Sequence, residues 1–169
     1  MDLTFKADHG KFNLRVGALI RSGGKVLMAT SPLEGENVYY SVGGRVKYGE
    51  TFEEAIRREV MEETGLAFDT AHMVAVHENF FVNVEGYPFH EISVYFIIDD
   101  KRFCDIPDGH PTEEGPDGER LYWVDPDDES LTLFPQFCRD KSFWEGTGIK
   151  HYVVHEDSWY SSLDNKQQK

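Results

Sequence analysis

Cysteine is nearly absent: Cys104 and Cys138 are the only two, and no CxxC spacing occurs. That excludes a disulfide framework or a thiolate zinc site as the organising feature, and fits two free thiols in a reducing compartment. Long apolar runs are also missing. The longest strand-like run, Val94 to Ile98, is far shorter than the roughly 20 residues a membrane-crossing helix needs. The opening stretch MDLTFKADHG lacks the apolar core of a secretory signal. A cytoplasmic protein with no membrane partner is the expectation. Basic charge is scarce: 17 Lys and Arg stand against 31 Asp and Glu, for a net charge of −14. A general nucleic-acid binder normally carries a basic face, so that class is set aside. No repeat, low-complexity block or linker divides the 169 residues. One domain over 1–169, with an ordered core of about 10–157, is expected, long enough for a single substantial core.

What is present reads as strands around one strong helix. Phe12 to Arg21 and Lys25 to Thr30 flank a Ser22-Gly23-Gly24 hairpin turn. Asn37 to Val42 is a short strand that leads into a Gly43-Gly44 turn. His72 to Val84 and Phe89 to Ile98 read as a long hairpin about a turn at Asn83 to Tyr87. In its second arm Ile92, Val94, Phe96 and Ile98 share one face, and Glu91, Ser93, Tyr95 and Ile97 the other. Apolar residues on both faces suit a sheet that is covered on both sides. Asp99 to Glu119, acidic and carrying Pro107, Pro111 and Pro116, is expected to be a charged surface loop. Arg120 to Val124 and Ile149 to His155 are further short strands. A helix capped from 126–130 is expected over Leu131 to Trp144, limited at its start by Pro135, and 161–169 is expected to be a frayed polar tail. The sum is an α/β layered domain with a mixed sheet.

The stretch from Gly43 to Leu66, GGRVKYGETFEEAIRREVMEETGL, organises the rest. Thr51 followed by Glu54 is a capping-box signature, with acids in the first turn where the helix dipole favours them. Phe52 to Thr64 contains no Gly or Pro, and Gly65 can end the helix in the left-handed region. Ala55, Ile56 and Val60 mark the buried side. Glu59, Glu62 and Glu63 then fall within an arc of roughly 100°. Like charges at that spacing repel. Arg57 and Arg58 offset part of the repulsion, and a bound cation offsets more, since carboxylate oxygens are the preferred ligands of Mg²⁺ and Mn²⁺. Taken alone, three glutamates on a helix also describe an ordinary solvated acidic face.

The spacing decides between these. Gly44, five residues, Glu50, seven residues and Arg58-Glu59-Val60-Met61-Glu62-Glu63-Thr64-Gly65-Leu66 match the Nudix box at every specified position. Chance agreement is on the order of 10⁻¹⁰ per starting position. The chain therefore resembles a Nudix hydrolase over the 23 residues Gly44 to Leu66. The resemblance implies a Nudix fold, an α/β/α sandwich with a mixed β-sheet. It also implies a pyrophosphohydrolase that needs Mg²⁺ or Mn²⁺ and uses water to split a nucleoside diphosphate linked to a further group X. The partner is then a small-molecule nucleotide, and a homodimer would follow family habit. By the same resemblance Glu59 and Glu63 are the main metal ligands, and Glu62 is a further ligand or the base that orients water. Glu50 can reach the metal, Arg58 holds a glutamate by a bidentate pair, and a main-chain carbonyl at Gly43 or Gly44 completes the coordination. Glu91 is a candidate base from outside the motif. Arg45 and Lys47 could contact phosphate. Among the aromatics Tyr39, Tyr40, Phe80, Phe81, Tyr87 and Phe89, Tyr40 and Phe81 are the candidates for stacking on a base, and core packing competes for each. The alternatives are a Nudix-type module that binds nucleotides without cleaving them, and a hydrolase of a non-nucleoside diphosphate.

Overall fold

A two-residue turn at Gly23-Gly24 joins the strands that found the sheet. The computed structural model describes residues 1–32, 35–83, 85–113 and 118–159. β1 (Thr4–Ala7) is antiparallel to β2 (Gly10–Ser22), which turns into β3 (Lys25–Thr30). β4 (Val38–Arg45) pairs antiparallel with both β2 and β3. After α1 (Phe52–Thr64) comes the hairpin of β5 (His72–Val82) and β6 (Pro88–Ile98). β6 runs parallel to β2 from Lys11↔Phe89 to Ile20↔Ile98, which makes the sheet mixed. β7 (His110–Pro111) and β8 (Arg120–Val124) extend it past β3. β9 (Thr132–Phe134) adds to β4 in parallel, α2 (Lys141–Glu145) follows, and β10 (Lys150–His155) lies parallel to β5 at the far edge. The order across the sheet is β10-β5-β6-β2-β4-β3-β8-β7.

Each face of this sheet is covered. On one, Val16, Ala18 and Ile20 of β2 and Val94, Phe96 and Ile98 of β6 pack against Ala55, Ile56 and Val60 of α1. On the other, Leu19, Val26, Met28 and Tyr95 pack under Leu133, Cys138 and Phe143. Residues 16–20 are buried on both sides, as a central strand between two layers must be. Burying Ile56 and Val60 in full contributes about 1.5–3 kcal/mol each, enough to hold α1 on the sheet. The mixed sheet with helices on it is the expected α/β architecture. Among the described residues no helix is long and apolar enough to cross a membrane.

Four sequence expectations change. Gly43 and Gly44 are not a turn but the continuation of β4, paired with Gly17 and Val16. The stretch 131–144 is not one helix. Leu133 and its neighbours find a ladder beside β4, Pro135 supplies no N–H to a helical turn, and a 3₁₀ turn at Gln136–Arg139 precedes α2. α2 starts afresh at Asp140, whose side chain accepts the Ser142 N–H at 2.8 Å. The segment after Asp99 is more than a surface loop: its 3₁₀ helix Lys101–Asp105 buries Phe103, and β7 follows. Residues before 10 contribute β1, with Leu3 against the α1-side core. The polar tail expected at 161–169 lies outside the described residues.

Candidate active site

α1 is fixed at both ends. Thr51 Oγ1 accepts the Glu54 N–H at 3.2 Å, the Glu54 carboxylate accepts the Thr51 N–H at 2.8 Å, and Gly65 caps the far end at φ 71°. This sets the rotation of the helix and aims its acidic stripe at β4. There the two glycines are needed. A Cβ on Gly44 would lie 2.5 Å from the Glu59 carboxyl carbon, and one on Gly43 (φ 145°) would lie 2.2 Å from the Val16 carbonyl oxygen. Strand backbone and helix carboxylates thus meet with nothing between them.

The carboxylates of Glu59 and Glu63 sit differently. Glu63 Oε1 accepts the Gly43 N–H at 2.8 Å, while its Oε2 is buried and has no hydrogen-bond partner. Burial, reinforced by the charges of Glu119 and Glu59, pushes the Glu63 carboxyl up to about 8, against the pull of the Gly43 N–H and Arg15. Burial also raises Glu59, and Arg58, bonded to it at 2.6 Å, opposes that rise. Glu62, nearer the surface, takes Arg58 at 3.1 Å and Lys47 at 3.8 Å.

Arg58 is the hub. It grips Glu50 bidentately, Nε to Oε1 at 2.7 Å and a terminal nitrogen to Oε2 at 2.9 Å, and donates to the Arg45 carbonyl at 3.0 Å. These bonds raise the Arg58 pKa above its ordinary value and pull Glu50 down to about 2. The expected bidentate pair is therefore Arg58 with Glu50. Glu50 does not line the acidic cavity; its second oxygen also accepts the Lys47 N–H.

That cavity, about 550 Å³, is lined by Asp2, Glu59, Glu62, Glu63, Glu113 and Glu119. Arg15, Arg45, Lys47 and Arg58 face them. Among the described residues no three carboxylate, imidazole or thiolate groups converge closely enough to enclose a metal ion, and Arg58 lies against two of the three helix glutamates. The donor set nevertheless suits a hard cation. It offers carboxylate oxygens, one of them buried and unpartnered, and a backbone that reaches the site without a Cβ. Sequence reasoning missed Asp2, Arg15, Glu113 and Glu119. They arrive from three remote segments, and no local pattern marks them. Glu113 is tied down by its N–H, which donates to the Glu62 carbonyl at 3.2 Å.

The other candidates lie elsewhere. Tyr40, Phe81 and Glu91 line a second cavity of about 400 Å³ on the α2 side of the sheet. Arg15 lines both cavities. It donates to the Gly43 carbonyl at 3.5 Å and lies 3.9 Å from Glu91. Burial works against its charge, yet the carboxylates of Glu91, Glu63 and Glu59 raise its pKa. Glu91 also accepts from Asn13 at 3.2 Å and Ser93 at 3.3 Å, so the structure does not bring it to the acidic cavity. Tyr39 packs edge-on to Tyr122, and Phe80 stacks on His90. Tyr87 and Phe89 meet edge-on.

A family model described as "NUDIX domain" matches residues 11–142. The chain is 32% identical over 128 residues to the oxidized purine nucleoside triphosphate hydrolase of Danio rerio, covering 75% of this chain and 72% of that one. It is 27% identical over 115 residues to the CTP pyrophosphohydrolase of Escherichia coli strain K12, covering 67% and 76%. A 47-residue match to the NAD-capped RNA hydrolase NudC of Pasteurella multocida, 43% identical, spans 28% of this chain and only 18% of that protein. Among solved structures, the MutT protein from Bacillus halodurans superimposes with a TM-score of 0.61 at 16% identity over 86% of this chain and 92% of that one. The MutT NUDIX hydrolase from Burkholderia pseudomallei gives 0.56 at 23%, over 80% and 98%. At these identities the structural likeness concerns the fold.

Proposed function

The chain belongs to the Nudix family of enzymes, and from that premise we propose that it is a divalent-metal-dependent hydrolase that splits the diphosphate linkage of a nucleoside diphosphate joined to a further group X. The observation that carries this reading is the buried, unpartnered oxygen of Glu63 beside Glu59, in a cavity where six acidic side chains face four cations. A phosphate chain is repelled by such a site unless a cation intervenes. Glu59 and Glu63 would hold Mg²⁺ or Mn²⁺, with Glu62 as a further ligand or as the base that orients water and the Gly43 carbonyl as a neutral donor. When bound there, such a cation would supply screening of the phosphate charge, a lower pKa for water and stabilisation of the leaving oxygen.

The protein's own groups do the rest. Glu50 holds Arg58, and Arg58 holds Glu59 and Glu62 at the cavity wall. Arg45 and Lys47 offer charge to the outer phosphates. Arg15, between the two cavities, neutralises the phosphate next to the nucleoside, and Glu91 orients it rather than acting as a base. The nucleoside enters the second cavity, where Tyr40 and Phe81 offer aromatic surface. The two relatives named for nucleoside triphosphates make that substrate class the first to try.

The test is a panel of nucleoside triphosphates, nucleotide sugars and dinucleoside polyphosphates with Mg²⁺ or Mn²⁺, products separated by chromatography. Glu59→Gln and Glu63→Gln each lower turnover by several orders of magnitude and leave the fold intact. Near wild-type rates in both variants reject the ligand assignment. The rival is a module that binds a nucleotide without cleaving it, favoured by the contacts of Arg58 with Glu59 and Glu62. Tight nucleotide binding in calorimetry, with no product formed in Mg²⁺, selects the rival.

A further inference from the structure

The floor of the second cavity has a polar centre where a sheet face under an aromatic layer would ordinarily be apolar. Alternation along β5 places His77, Asn79 and Phe81 on one face, and along β6 it places Glu91, Ser93 and Tyr95 on the same one. The register sets His77 beside Ser93 and Asn79 beside Glu91. Aromatic rings surround this patch: Tyr40 stacks on Phe134 at 5.3 Å across the cavity's lining, and Tyr95 and Phe81 complete it. His77 is only 8% exposed, and its Nε2 is buried with no hydrogen-bond partner. Its ring is held by Phe137, edge-on at 5.7 Å, and by Tyr95 at 6.3 Å.

From this geometry we infer that His77 is a specificity-determining residue of the second cavity, which takes a nucleobase and reads its hydrogen-bonding edge. The inference rests on the hydrolase reading only for the direction in which the nucleotide lies. A buried ring nitrogen without a partner is a standing cost to the fold, and a ligand that supplies the partner removes that cost. Burial lowers the His77 pKa, with Glu91 opposing, so the ring is neutral and carries one donor and one acceptor. Such a group suits the alternating donors and acceptors of a base and is a poor partner for phosphate. Among the described residues lining this cavity Arg15 is the only Lys or Arg, and it borders the acidic cavity as well. A nucleotide with its phosphates at Arg15 directs its base toward the polar patch.

The experiment follows the His77 ring nitrogens by ¹⁵N NMR while AMP, GMP, CMP, UMP or the base-free ribose 5-phosphate is added to the intact protein. At least one nucleoside monophosphate shifts the His77 signals, and ribose 5-phosphate does not. His77→Phe weakens binding of that nucleotide about tenfold, leaves ribose 5-phosphate binding unchanged, and keeps or raises the melting temperature, because an unpaired buried polar group is removed. His77→Gln, which retains a donor and an acceptor, recovers part of the affinity. The inference is overturned if no nucleotide moves the signals, if ribose 5-phosphate moves them equally, or if His77→Phe loses stability and binds as before. None of these readouts requires hydrolysis. Failure of the wild type to form product from any substrate of the panel would therefore reject the hydrolase reading and leave the His77 result standing.

Discussion

Each of the two cavities contains a buried polar atom with no partner, Oε2 of Glu63 in one and Nε2 of His77 in the other. They are built in opposite ways. Most of the acidic cavity comes from a single strand-loop-helix segment, residues 43–63, locked by a capping box and two glycines. The aromatic cavity draws on β2, β4, β5, β6, the 134–135 corner and Glu156, and no two of its key residues form a local motif. The first is a chemical device that must keep its spacing. The second is a surface that can change one residue at a time while the first stays fixed. Among the described residues Arg15 alone lines both cavities.

The sharpest way to break the contrast is to insert a methyl group where motif and strand touch. Gly44→Ala puts a Cβ where the Glu59 carboxylate lies, and the flexible end of that side chain can swing away. Turnover falls about 10²-fold, the scale of a misplaced catalytic group, with the melting temperature little changed. Gly43→Ala behaves differently, since its Cβ meets the Val16 backbone and its φ suits glycine. Stability falls by about 1–3 kcal/mol, as expected where a left-handed position is forced on a side chain. Equal effects of the two substitutions on turnover and on stability would refute this division.

The next effect is one of pH. Glu63 is raised from 4.5 to about 8, so its contribution to stability is fully present below pH 4.5 and is lost as pH rises through about 8. Without divalent metal, the wild type therefore melts at a lower temperature at pH 9 than at pH 5. Glu63→Gln flattens that part of the dependence. Added Mg²⁺ raises the melting temperature at pH 9 more for the wild type than for the variant. Parallel melting profiles across this range would show that Glu63 does not carry the cost.

What could be read from the chain follows the same contrast. The helix, its two caps and the buried stripe Ala55, Ile56 and Val60 were legible, because each depends on neighbours three or four residues away. The β2–β3 and β5–β6 hairpins were legible from alternation and turn residues. Glu113, Glu119 and Arg15 were not, since tertiary packing alone brings them to the helix. Leu131 to Trp144 misled because its apolar residues serve a short strand, a 3₁₀ turn and a five-residue helix in succession, a break that Pro135 and Asp140 announce only weakly. The Gly43-Gly44 pair reads as a turn by composition, yet its glycines serve close approach within a strand.

The smallest expected effect compares two adjacent residues on β5. Phe81 lines the second cavity and stacks on Phe89 at 5.1 Å. Phe80 points to the opposite face, stacked on His90 and on His155 at 4.2 Å each, where it ties β10 to the hairpin. Base stacking on an aromatic is worth about 1–3 kcal/mol against alanine, and leucine retains part of that as apolar surface. Phe81→Leu therefore raises KM for the nucleotide about fivefold, leaves kcat unchanged and shifts stability little. Phe80→Leu does the reverse: it costs about 1 kcal/mol through lost ring contacts and leaves KM as it was. Steady-state kinetics and thermal melts on the two variants separate these outcomes. A KM effect from Phe80→Leu equal to that from Phe81→Leu would mean that the nucleoside does not lie on the α2 side of the sheet.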